Sequence, residues 1–176
     1  MTAETRWYML TLIGKDRPGI VAHVTAALYE GGAHLGEASM MRLGGNFTIM
    51  MMVAFPGSRR ELEQILRTEV ESLGLSAHID PIEARLHEHP QPDVRITVYG
   101  ADRAGIVAKV TGVLAEAGFD ILDLESDVAG SEAEPLYVMQ MEGRAREGIP
   151  ALESALDIVR AEGVDAHLEP VETMLG

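Results

Sequence analysis

Apolar positions along the chain switch between a period of two and a period near 3.6, and the switches mark out its elements. "WYMLTLI" (7–13) is a short β-rich run that ends at Gly14. Ile20, Val21, Val24, Ala27 and Leu28 then recur at helical spacing, and Gly32 closes that helix. "HLGEASMMRL" and "FTIMMMVAF" flank a glycine-rich tight turn and predict a hairpin. Leu62, Ile65, Leu66, Val70 and Leu73 predict a second amphipathic helix, and "LSAHIDPI" a closing strand.

The same series returns. "VRITVYG" (94–100) is a strand, and Ile106, Val107, Val110, Val113 and Leu114 form a helix ended by Gly118. "DILDLESD" alternates Leu122, Leu124 and Val128 with Asp123, Glu125 and Asp127, as a half-exposed strand does. Ile149, Leu152, Leu156 and Val159 mark the last helix, and "VDAHLEPV" the last strand.

Residues 14–32 and 100–118, at an offset of 86, share Gly14, Asp16, Arg17, Gly19, Ile20, Val21, Ala22, Val24, Thr25, Leu28, Glu30 and Gly32. "GLSAHIDPIE" and "GVDAHLEPVE" match at an offset of 89, so the second copy carries three extra residues, placed in "VAGSEAEP" (128–135) with "NFTIMMMV" and "PLYVMQME" already at the later offset. A period this long marks a duplicated domain, since solenoid repeats run about 20–50 residues.

Strand, helix, strand, strand, helix, strand is the split βαβ order of the ferredoxin-like fold. The fold class is therefore α+β: two βαββαβ units in tandem, each an antiparallel sheet with its helices on one face. The polar segment "RLHEHPQPD" has two prolines and no counterpart in the repeat, which sets the boundaries at 1–84, a linker at 85–92, and 93–176. Residues 47–55 are apolar except Thr48, so both faces of that strand are expected to meet apolar surface.

Composition narrows the chemistry. The chain has 176 residues, 47% hydrophobic and 24% charged, which suits a packed soluble protein. It lacks an apolar run long enough to span a bilayer and a leader-like start, so no membrane association and a cytoplasmic location are expected. Cysteine is absent, excluding disulfides, thiol nucleophiles and thiolate metal sites. A formal charge of −14 opposes direct nucleic-acid binding and suits a basic protein partner.

The duplicated turn "GKDRPG" carries the functional signal. Asp16 is expected to cap the following helix, with Pro18 near its first position. The same geometry leaves helix amides open to a small carboxylate, Asp16 able to accept from an ammonium, and Gly19 and Gly105 allowing close approach. Neither "GxxxxGK[ST]" nor "GxGxxG" is present, so the turn is not a nucleotide cradle.

"DRPGIV" at a helix start within such a unit resembles the ACT domain, a small regulatory module. Two such units, with "EASMMRLGGNFTIMMMVAFPG" in the first, resemble the glycine cleavage system transcriptional repressor family. The resemblance implies an amino-acid site at an interface between domains. It involves Gly14, Asp16, Arg17, Pro18 and Gly19, with Gly100, Asp102, Arg103 and Gly105 in the second copy. Ala104 departs from the motif proline, and the Asn that often begins the second strand is His34 here and Asp120 in the repeat. His34 is expected at the ligand edge, and the charge of Asp120 is expected to disfavour the second site.

Other chemistry is thin. "HEH" (87–89) lies in the linker, His78 and His167 are expected to be partly buried structural residues, and His23, where the repeat has Lys109, faces solvent. No serine sits in "GxSxG", so catalytic and metal residues are expected to be none. The methionines of 40–52 are adaptable packing or a protein-binding surface. The resulting expectation is a non-enzymatic, amino-acid-responsive regulator without a cofactor. By the resemblance its effector is glycine or a related small amino acid and its partner a transcriptional regulator, in a homo-oligomeric assembly. The alternatives are an ACT oligomerisation scaffold without ligand and an accessory subunit of an amino-acid or one-carbon metabolic enzyme.

Overall fold

The computed structural model describes residues 5–83, 90–101, 105–131 and 134–171. The chain divides into two compact units, Met1–Glu88 and His89–Gly176. The first contains β1 (Arg6–Lys15), α1 (Ile20–Glu30), β2 (His34–Leu43), β3 (Asn46–Phe55), α2 (Arg59–Leu73) and β4 (Ser76–Ile82). The second contains β5 (Val94–Ala101), α3 (Ile106–Glu116), β6 (Phe119–Ser131), β7 (Glu134–Ala145), α4 (Ile149–Arg160) and β8 (Asp165–Pro170). Each unit forms one four-stranded antiparallel sheet, in the order β2-β3-β1-β4 and β6-β7-β5-β8.

Each unit has its own core, built at matching positions. Tyr8, Leu10 and Leu12 of β1 are buried with Ile20, Val24 and Leu28 of α1, and Leu62 and Leu66 of α2. Val94, Ile96 and Val98 of β5 are buried with Ile106, Val110 and Leu114 of α3, and Leu152 and Leu156 of α4. Strand residues alternate faces, so each set turns one sheet face toward the helices. No described polar or charged residue is buried.

The register corrects the repeat alignment in one strand. Gly14 pairs with Phe47 and Gly100 with Tyr137, while Leu10 pairs with Met51 and Ile96 with Met141. β3 and β7 therefore correspond at an offset of 90, whereas β2 and β6 correspond at 86: Leu35 opposes Val53 and Ile121 opposes Gly143. The second hairpin is four residues longer, and the offset returns to 89 at β4 and β8, where Leu10 meets Ile79 and Ile96 meets Leu168. Since side chains alternate with a period of two, the one-residue difference exchanges the faces assigned to β7.

The other sheet face differs between the units. In the first it presents Met9 beside Met52, Thr11 beside Met50, and Ile13, with Met50 and Ile13 about half exposed. The expectation that both faces of β3 meet apolar surface is met on the helix side, by Phe47, Ile49, Met51 and Val53, while Met50 remains open. In the second unit the same face is charged. Arg95 donates to Glu142 and Glu169, and these hydrogen bonds, Glu142 first, hold its guanidinium above the usual range.

Gly44 and Gly45 both have positive φ, 57° and 75°, which the two-residue hairpin between β2 and β3 requires. α2 begins with a capping box. Ser58 N–H donates to Glu61 Oε2 at 2.7 Å, and Glu61 N–H donates to Ser58 Oγ at 3.3 Å. The bond from Ser58 N–H, followed by that from its hydroxyl, holds Glu61 below its ordinary carboxylate value. A lowered folded pKa contributes stability above the unfolded value and loses it as pH falls through the folded one. Ser58→Ala is expected to lower stability by about 1 kcal/mol in urea unfolding at pH 7, with the difference from wild type shrinking as Glu61 protonates.

Candidate functional site

β1 ends beside the β2–β3 turn, because Lys15 pairs with Asn46 and Asp16 N–H donates to Gly45 O at 3.2 Å. The chain then leaves the sheet through Arg17 and Pro18 and enters α1 at Gly19. Gly19 is the N-cap, with φ 90° and ψ −5° and no side-chain cap. This left-handed conformation strains any side chain but that of glycine. The first bond of the helix is His23 N–H to Gly19 O at 3.0 Å, so the amides of Ile20, Val21 and Ala22 have no acceptor within the helix.

Asp16 therefore does not cap α1, contrary to the expectation from the sequence. Its Oδ2 instead lies 3.1 Å from Nε of Arg42, near the end of β2. Pro18 stands outside the helix, one residue before the cap, and not at its first position. Gly14 has a packing role: a Cβ there would lie 2.7 Å from Leu75 Cδ2 and 3.2 Å from Gly74 O.

Between the loop, the first turn of α1 and the end of β2 lies an open cavity of about 280 Å³. Its lining includes Asp16, Arg17, Pro18 and Gly19 of the loop, with Val21 of α1, Met40 and Arg42 of β2 and Phe47 of β3. Arg17 forms no ion pair among the described residues. Two arginines, one carboxylate, the positive end of a helix dipole and several apolar side chains thus line one cavity, and their charges complement a small zwitterion or anion.

The structure separates some residues that sequence reasoning had grouped. α1 carries the chain about 16 Å back along the sheet, so His34 begins β2 at the end remote from the loop. It opposes Ala54, eight residues from Arg42, or about 25 Å at strand rise. Asp120 occupies the same remote place in the second unit, beside Arg146, which donates to it from Nε at 3.2 Å. It lies at the end of its own sheet remote from the second loop. His78 and His167 are exposed, against the expected partial burial, and each lies beside an aspartate, Asp80 at 2.9 Å and Asp165 at 3.1 Å. His23 faces solvent as expected and lies 3.6 Å from Glu69.

The second loop repeats the helix start, with Gly105 at φ 87° and ψ −1° before Ile106. Asp102, Arg103 and Ala104 lie outside the described residues, as do His87 and His89. Gly100 ends against Ile106, whose Cδ1 is 3.0 Å from where a Cβ would sit. Register identifies the counterpart of Arg42. Arg42 opposes Phe47, which pairs with Gly14; Val128 opposes Tyr137, which pairs with Gly100. By the same correspondence Ser126 stands for Met40, so this strand brings no cation to the second loop.

Arg42 was missed in the sequence although its signal is countable. Ala38, Met40 and Arg42 share a face of β2, and the Gly44–Gly45 turn sets Arg42 opposite Phe47. Groups with displaced titration lie elsewhere: besides Glu61 and Arg95, Arg146 is raised by Asp120, and Arg160 by Glu153 and then Asp157. Among the described residues, no three His, Asp or Glu side chains are placed to hold a metal ion, and no helix is long and apolar enough to cross a membrane.

The units and their loops define a tandem arrangement of two small α+β modules, and comparison identifies them. A profile described as an ACT domain matches residues 8–80 and a second of the same description residues 94–163. The chain belongs to the ACT domain family, carries two such domains in tandem, and is an ACT-domain regulatory protein. UPF0237 protein YjhC of Lactococcus lactis is 39% identical over 72 residues, 40% of this chain and 83% of the relative. A UPF0237 protein of Methanosarcina mazei is 29% identical over 80 residues, 44% of this chain and 87% of the relative.

Two solved structures match almost end to end. An unknown protein from Galdieria sulphuraria is 27% identical, with a TM-score of 0.76 over 96% of this chain and all of the other. A crystal structure provisionally named a glycine cleavage system transcriptional repressor is 20% identical, with a TM-score of 0.70 over 96% of this chain and 99% of the other.

Proposed function

We propose that the first-loop cavity binds a free α-amino acid and that the protein, without catalysing a reaction, transmits its presence to a transcriptional regulator by protein contact. The observation that carries the reading is the convergence of the Asp16 carboxylate, the Arg42 guanidinium and the uncapped start of α1 on one cavity. A carboxylate takes the free amides and an ammonium takes Asp16. A ligand that binds two arrangements of the units unequally shifts their populations. The name of the repressor-like neighbour supports glycine as a first ligand to try, and the charge of −14 suits a basic partner.

The reading is tested by thermal unfolding against each of the twenty amino acids. A ligand at ten times its Kd stabilises by about 1.4 kcal/mol, which raises the midpoint of a unit this size by about 5–10 °C. Capture of a regulator by the protein, changed on adding that amino acid, is the expected second result. The half-exposed Ile13 and Met50 on the first sheet face favour a second reading, association of copies as a scaffold. Folded protein that responds to none of the twenty overturns the sensor in favour of that scaffold.

A further inference from the structure

The charges around the cavity indicate which amino acid it selects. Asp16 and Arg42 are already paired across it, the Asp16 side chain 28% exposed and that of Arg42 65%. Among the described residues that line the cavity, Asp16 is the one carboxylate, so a ligand's ammonium has to take it. Doing so draws Asp16 from Arg42 and leaves that guanidinium without its counter-ion. A neutral ligand side chain merely exchanges one ion pair for another. A ligand with a second carboxylate gives Arg42 a new partner, and its geometry suits a guanidinium fork.

Charge balance agrees. Arg17 and Arg42 line the cavity with a single carboxylate, which complements a ligand of net charge −1 better than a zwitterion of net zero.

We propose that Arg42 is the specificity-determining residue of the first unit and selects a dicarboxylic α-amino acid, of the aspartate or glutamate class, over glycine and other neutral amino acids. The inference rests on the reading of this cavity as an amino-acid site. With Val128 in the place of Arg42, the second unit lacks the selective group, so one such ligand binds per chain.

Titration calorimetry of the full chain with L-aspartate, L-glutamate and glycine tests it. The expected result is one dicarboxylate per chain, bound about tenfold more tightly than glycine, or 1.4 kcal/mol. Arg42→Gln is expected to abolish that preference, with the dicarboxylates and glycine then bound within about twofold of each other, and Arg42→Lys to keep part of it. Arg42 is largely exposed, and matching thermal midpoints of the unliganded variants establish that they fold. Glycine binding as tightly as the dicarboxylates, or Arg42→Gln retaining the preference, overturns the inference and leaves the amino-acid reading standing. Failure of every amino acid to bind the wild type overturns both.

Discussion

Asp16→Ala is expected to weaken amino-acid binding to the first unit by about 10- to 100-fold, measured by calorimetry. Removing the acceptor of a charge-assisted hydrogen bond costs about 1.5–3 kcal/mol, and each 1.4 kcal/mol is tenfold in affinity. The loss is separable from folding. Gly19 caps α1 without a side chain, so Asp16 contributes nothing to the helix start, and its pair with the exposed Arg42 contributes only about 0–1 kcal/mol. The free variant is therefore expected to melt within a few degrees of wild type. Asp102→Ala is expected to have the smaller effect on binding, because Val128 replaces the arginine of the facing strand. The reverse order of the two variants would defeat the assignment of the better site to the first unit.

The largest stability effect is expected at the strand that leads into the loop. Leu12 is fully buried, between the sheet and the helices and two residues before Gly14. Truncating a buried leucine to alanine removes its transfer free energy and leaves a cavity, at a cost of about 2–5 kcal/mol. Against a total of about 5–15 kcal/mol, Leu12→Ala is expected to lower the midpoint of the first unit by 10 °C or more, at about 4–8 °C per kcal/mol. Ile13→Ala is the control. Its side chain is 53% exposed on the opposite sheet face, so a midpoint within a few degrees of wild type is expected in calorimetric unfolding. Equal losses at the two positions would place the core on the wrong face of β1.

The fold was legible because its signals are local. Ile20, Val24 and Leu28 mark a helix face wherever they occur, and the same triad at Ile106, Val110 and Leu114 makes the duplication plain. β7 was less legible. In "PLYVMQME" both Leu136 and Val138 and, on the other phase, Tyr137, Met139 and Met141 are apolar, so alternation does not choose between them. Pairing with β5 does, and it buries Met139 and Met141.

The candidate site divides in the same way. "GKDRPG" was recognisable as a strand-to-helix turn, but the role of its aspartate was not, because a cap and an ion pair use the same carboxylate. His34 and Asp120 were placed at the ligand edge by the family resemblance, as the positions that begin the second strand of each unit. An antiparallel helix returns the chain to the far end of its sheet, which puts them about a sheet's length away.

By itself the sequence determined the two units and their order of elements, since these depend on periodicity and on turn residues with strong backbone preferences. Only the tertiary structure decided what faces the first hinge. Arg42 reaches Asp16 because a two-residue turn sets the register of β2 against β3, and β3 in turn against β1. The equivalent place in the second unit holds Val128, because a hairpin four residues longer preserves the pairing while the side chain it delivers has changed. Sequence neighbourhood cannot report such a difference, since cross-strand contacts are fixed by register and not by distance along the chain.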